Sequence, residues 1–269
     1  MKIFDTHTHV FPDKIAARVL ENLSRQSKGL PTHTLGTYDD LTQRALAAGY
    51  TGFMNCPICT KAGQHTSLNA WAAAHNHWPG LSLGGIHPDD DNPREIVHDI
   101  RQMGLYGLKL HPEYQSFGLL EPRMEPLWNA LVEEGLPVLI HGADDIGFEP
   151  PYHSKPADFA ELSRRHQGLT IIVAHTGGWD QWDAVERDLV GTNVYIDTSF
   201  SYPYMKDKSQ FARIIRNHGT DKVLFGTDSP WQELNEAIAQ LKAQDFTQKE
   251  FEDIFWNNAV KVWGLKHDE

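Results

Sequence analysis

The chain has 269 residues, enough for one α/β barrel or two small domains, and 40% of them are hydrophobic against 22% charged, a balance that excludes a disordered chain. With 24 Lys and Arg against 36 Asp and Glu the net charge is -12, and so acidic a surface repels phosphate backbones and anionic lipid heads, which disfavours sequence-blind nucleic-acid or membrane-surface binding. No apolar run approaches the ~20 residues of a membrane span, and the first one stops at Asp5, so no signal peptide is expected and the cytoplasm is the expected compartment.

Eight short runs, apolar on both faces, read as buried parallel strands. In chain order they cover 2–7, 52–56, 81–86, 106–110, 137–140, 170–174, 193–197 and 222–226. Amphipathic stretches lie between and after them, at 41–48, 92–103, 124–134, 156–165, 209–217, 233–243 and 248–262. Gly135 and Gly219 are placed to end two of these helices. Strands alternating with helices imply βαβ units on a parallel sheet. Eight of them predict one domain over 1–269, a distorted (β/α)8 TIM barrel, with a doubly wound open sheet as the runner-up. The stretches 24–37 and 142–155 are loop-like and placed to cap a site. Cys56 and Cys59 form a Cys-x-x-Cys motif at a strand end with no second pair, so they read as reduced thiols rather than a zinc or redox site.

The chain holds 15 histidines, and several of them end strands. Strand one finishes His7-Thr8-His9, the third Ile86-His87-Pro88, and the fourth carries Lys109 and finishes His111-Pro112. The fifth finishes at His141, the sixth at His175, and the eighth runs into Gly226-Thr227-Asp228. In a parallel barrel all these ends open on one face, so His7, His9, Lys109, His111, His141, His175 and Asp228 are expected to converge. Residues two apart on a strand share a face, which pairs His7 with His9 and Lys109 with His111. Several imidazoles with one carboxylate form a ligand set suited to zinc or a similar divalent ion. Lys109 reads equally as a substrate contact, a carbamate-type bridging ligand or a core ion pair. Aromatics in the loops after the strands, Trp179, Trp182 and Trp231 among them, are placed to stack on a flat small molecule.

Read together, Asp5-Thr6-His7-Thr8-His9, Gly107-Leu108-Lys109-Leu110-His111-Pro112, Ile140-His141-Gly142, Ala174-His175-Thr176-Gly177-Gly178, Tyr195-Ile196-Asp197-Thr198-Ser199 and Phe225-Gly226-Thr227-Asp228-Ser229-Pro230 resemble the amidohydrolase superfamily. Within it they are similar to the amidohydrolase-related branch of metal-dependent TIM-barrel hydrolases and decarboxylases. The match spans nearly the whole chain in the expected order, down to Asn257-Asn258-Ala259 near the end. The resemblance implies that His7, His9, His141 and Asp228 hold one divalent metal, with zinc the expected ion, and that His175 and Asp228 are the catalytic acid–base groups. It leaves open a second metal bridged through a carboxylated Lys109. Lys109, His111, His153 and Trp179 are the candidate substrate contacts.

A bound divalent cation lowers the pKa of water from about 16 to about 7 and polarises a carbonyl oxygen. The leading expectation is therefore a hydrolase acting on a C–N or C–O bond of a small polar molecule. The alternatives are a non-oxidative decarboxylase of an aromatic or unsaturated acid, a TatD-like deoxyribonuclease, loosely resembled by Gly85-Ile86-His87-Pro88, and a non-catalytic barrel that binds a metabolite. Apart from that small molecule no partner is expected, and homo-oligomerisation stays open.

Overall fold

Nine β segments make up the barrel wall: β1 (Phe4–Thr8), β2 (Gly52–Asn55), β3 (Gly80–Ser82), β4 (Gly84–Gly85), β5 (Leu108–Leu110), β6 (Val138–Ile140), β7 (Ile171–Val173), β8 (Tyr195–Asp197) and β9 (Val223–Leu224). The computed structural model describes residues 1–266, so the last three positions of the domain expected over 1–269 lie outside the described residues. Every pairing between neighbouring strands is parallel. β3 and β4 together form the third barrel strand. It pairs with β2 as far as Ser82, then passes at Leu83 to pairing with β5. The circle closes where Thr6 N–H donates to Phe225 C=O at 2.8 Å, Asp228 N–H to His7 C=O at 2.8 Å and His9 N–H to Ser229 C=O at 2.6 Å. All eight expected strands are thus present, the third in two pieces, and the barrel prevails over the open sheet.

The helices form the outer ring: α1 (Asp13–Gln26), α2 (Tyr38–Ala47), α3 (His65–Ala74), α4 (Pro93–Gln102), α5 (Pro112–Gln115), α6 (Glu125–Glu134), α7 (Pro156–Arg165), α8 (Trp182–Ala184), α9 (Ser209–His218), α10 (Leu234–Lys242), α11 (Gln248–Glu252) and α12 (Asn258–Trp263). α6 stops where sequence spacing placed its end, at Gly135 with φ +63°, a left-handed backbone that costs glycine little. Thr247 and Glu250 cap α11 reciprocally, Glu250 Oε2 accepting from Thr247 N–H at 2.7 Å. The helix expected over 248–262 is divided by a π-helical turn at Asp253–Asn257. α1 and α3 were not anticipated, and α1 takes the first residues of the expected loop 24–37. No helix among the described residues is long and apolar enough to cross a membrane.

Strand parity divides the core. Leu108, Leu110, Val138, Ile140, Ile171 and Val173 pack outward against the helices. Phe4, Met54, Leu139, Ile172 and Leu224 fill the barrel, together with Trp256 and Trp263 from the C-terminal helices. Trp263 Nε1–H donates to Thr6 Oγ1 at 2.6 Å and ties that end to β1. Lys109 is in register with Leu139, which is in register with Ile172, so its side chain enters the barrel on the same layer. The apolar filling occupies one end of the cylinder and leaves the other to polar side chains.

Candidate metal centre

Three electron-pair donors meet at the C-terminal end of β1. His7 Nδ1 lies 2.9 Å from Asp197 Oδ2 and 3.0 Å from Ser199 Oγ, so its proton is committed there and Nε2 keeps its lone pair. His9 Nδ1 donates to the Cys56 carbonyl at 2.9 Å, with the same result. Both Nε2 atoms face Asp228 Oδ1, at 3.3 and 3.0 Å. Burial, and then the charge of Lys109, holds His7 well below the usual imidazole pKa, so the ring is neutral. Burial pushes Asp228 up, but His7, His9 and Lys109 outweigh it and keep the carboxyl below its usual range, ionised. Two lone pairs and a carboxylate oxygen at such spacing repel unless positive charge lies among them, so this donor set fits a divalent cation. Lys109 Nζ stands beside it, 2.9 Å from His7 Nε2 and fully buried, and burial lowers its pKa.

A second convergence lies next to the first. His141 Nε2–H donates to the Asp144 carbonyl at 2.8 Å, which turns Nδ1 toward His175 Nε2 at 2.9 Å. His175 Nδ1 is in turn 3.2 Å from the Ser199 carbonyl and 3.1 Å from Ser199 Oγ. Burial depresses both pKa values, helped at His175 by His141 and at His141 by Lys109. His175 and Asp228 adopt φ +62° and +61°. Left-handed backbone at non-glycine residues costs on the order of 1–3 kcal/mol, and here it turns both side chains from the strand direction into the mouth.

His111 stacks on His141 with ring centroids 4.0 Å apart, and its Nε2 meets Asp145 Oδ2 at 3.2 Å. His111, His141 and Asp145 are close enough to one another to hold a cation. However, His111 Nδ1 accepts from Tyr114 N–H and His141 Nε2 donates to Asp144, so the nitrogens facing Asp145 carry hydrogens and the trio is a hydrogen-bonded support.

Other expected residues fall outside the site. His153 is the clear correction: its Nδ1 and backbone N–H bind the buried Glu113 at 2.9 and 2.7 Å, and it does not line the cavity, because Glu113 draws the Pro-rich loop onto α5 instead. His87, a strand-end histidine, organises a turn with Asp89 and Asp90 instead. Trp182 is buried with Nε1–H on the His175 carbonyl. Cys56 and Cys59 are free and buried. Asp197 and Ser199 had no assigned role. Their signal was parity, since Asp197-x-Ser199 repeats the spacing of His7-x-His9 at a strand end.

The mouth opens into a cavity of about 470 Å³, within the range of small-molecule sites. His7, His9, Lys109, His111, His141, His175 and Asp228 all line it, as do Trp179 and Trp231. A family model described as amidohydrolase matches residues 4–265. The chain belongs to the amidohydrolase family. No protein of curated function matches this amidohydrolase-family chain by sequence. Among solved structures it is similar to a TIM-barrel protein of Bordetella bronchiseptica, at 17% identity and TM-score 0.77 over 98% of this chain and 99% of that one. It is also similar to 2,6-dihydroxybenzoate decarboxylase from Rhizobium, at 16% identity and TM-score 0.72 over 98% and 99%. A third is a dihydroxybenzoic acid decarboxylase from Polaromonas sp. JS666 with bound manganese and the inhibitor 2-nitroresorcinol, at 14% identity and TM-score 0.72 over 98% and 97%. At such identities the likeness is one of fold.

Proposed function

We propose that this amidohydrolase-family chain is a metal-dependent hydrolase that cleaves a C–O or C–N bond of a small molecule, with His7, His9, His141 and Asp228 as ligands of one divalent ion. The convergence of His7 Nε2, His9 Nε2 and Asp228 Oδ1 carries the reading. When bound, the ion supplies Lewis acidity, polarising the reacting carbonyl and acidifying water. The chain supplies the rest. Asp228, ionised in the mouth, accepts the proton of the attacking water, a role typically worth 10²–10⁴-fold. His175, neutral and fixed by Ser199, orients that water through Nε2. His111 and Trp179 bound the substrate.

Lys109 supports an extension of the same reading. Burial favours its uncharged amine, which can add to carbon dioxide and release a proton to leave a carbamate. In that two-ion form His141 and His175, whose Nδ1 and Nε2 lone pairs already face each other, would hold the second ion with the carbamate and leave His7, His9 and Asp228 to the first.

Decarboxylation of an aromatic acid is the second reading. The aromatic cavity lining and the decarboxylases that share the fold favour it. Two measurements test the proposal. Elemental analysis of purified protein is expected to give one or two zinc or manganese ions per chain, lost in His7→Ala and Asp228→Ala. A panel of amides, lactones and aromatic acids is then expected to show water consumed. Carbon dioxide released without water uptake selects the second reading, and protein that takes up no metal ends both.

A further inference from the structure

The cavity continues past the histidines into space that no catalytic role uses. One wall there is a face of α1, where Ile15, Val19 and Leu23 recur every four residues. The other is Ile58 with Leu68 and Trp71 of α3. A surface helix ordinarily turns its whole apolar stripe into the core. α1 divides its stripe: Ala16 and Leu20 are buried, while Ile15, Val19 and Leu23 stay half-buried against the cavity. Charge is confined to the other end. Among the described lining residues the charged side chains other than histidine are Lys109, Asp145 and Asp228, and each touches one of the site histidines. The polar groups between α1 and α3, such as Ser27 and Gln64, are neutral. The volume of about 470 Å³ is roughly three times a cavity of ~150 Å³ that holds one benzene, so a reacting head group at the histidines leaves much of it to fill.

We propose that the substrate carries, beside the bond that reacts, an uncharged apolar arm, aliphatic or arylalkyl, which lies between α1 and α3. Which end of the molecule points inward rests on the proposed metal chemistry; the arm itself does not. The arm binds because it displaces water from branched and aromatic side chains left half-buried against the cavity, and a charged arm is rejected because no described lining residue there offers an ionic partner.

Straight-chain 1-alkanols from butanol to decanol are titrated by calorimetry into the full-length protein, both metal-loaded and stripped. Affinity is expected to rise about fourfold per added methylene and to level off once the space is full. Val19→Trp, which fills the space from α1, is expected to move the levelling point to shorter chains. Where that variant does not fold, Leu68→Trp on the facing wall carries the same readout. A series without length dependence overturns the proposal, as does a rise that neither variant shifts. Neither turnover nor metal is needed for this readout. Steep length dependence in protein that never takes up metal therefore upholds the arm and ends the hydrolase, and a flat series in protein that binds metal does the reverse.

Discussion

His7 Nδ1 and Asp197 Oδ2 meet at 2.9 Å from positions 190 residues apart in the chain. The carboxylate fixes which nitrogen of His7 faces the mouth, and it also accepts from the backbone N–H groups of His175 and Ser199, each at 3.0 Å. One side chain thus orients a proposed ligand and holds two neighbouring strand ends. Removing the charge while keeping the shape, as in Asp197→Asn, is expected to weaken metal binding 10–100-fold with the fold retained. Asp197→Ala adds unsatisfied buried donors and is expected to cost a further ~1–3 kcal/mol of stability for each. Metal competition assays and urea denaturation separate the two effects.

Lys109→Met keeps the buried stem and removes the amine. Because a desolvated amine is costly in this layer, the variant is expected to unfold at an equal or higher temperature than the parent. In the bridged form of the site the metal content falls from two ions per chain to one. A ratio of one in both proteins assigns Lys109 to substrate or to the ion pair instead.

Burial pushes the Cys56 and Cys59 thiols up to about 12. At pH 8 neither is appreciably ionised, and both are enclosed. A disulfide reagent is expected to leave the folded protein unmodified for hours and to titrate two thiols per chain in denaturant. Rapid modification of the native state would place one of them at the surface.

His218 sits far from the metal centre. Its Nε2–H donates to the Val194 carbonyl at 2.9 Å and its Nδ1 accepts from Gly191 N–H at 3.3 Å, which requires the neutral ring. Burial lowers its folded pKa below the ordinary 6.5. The unfolded chain therefore takes up the proton first as the pH falls. The stability this group contributes is fully present above about 6.5 and is lost below it, at no more than ~1.4 kcal/mol per pH unit. The gap between urea midpoints at pH 7.5 and 5.5 is expected to narrow in His218→Gln, whose amide serves both partners without titrating, the remainder being left to the buried histidines of the barrel mouth.

The strand ends made most of the site legible. His7 and His9 share a face because they lie two positions apart on one strand, and Lys109 faces inward because its register neighbours are barrel-filling residues. Histidines at four strand ends converge because parallel strands open one way. Other features carried no such periodic signal. α3 is rich in alanine, so its two faces contrast little in sequence, and α1 spreads its apolar residues between core and cavity. His153 lies in a loop without a period, and only the fold reveals that Glu113 holds it away from the site. The partners that fix the histidine tautomers, Cys56 and Asp144, act through backbone carbonyls, which any residue type supplies.

Because Thr8 pairs with Ser229 and His7 with Asp228, the cylinder is stitched shut between its first strand and the segment that follows its last. During synthesis the two β1 histidines emerge well before Asp228 and Ser229, so they cannot be seated until the last barrel strand and the turn after it have been made. Until then those imidazoles are open to any metal in the surroundings, so selection of the proposed ion belongs to the final stitch of folding rather than to the β1 histidines alone.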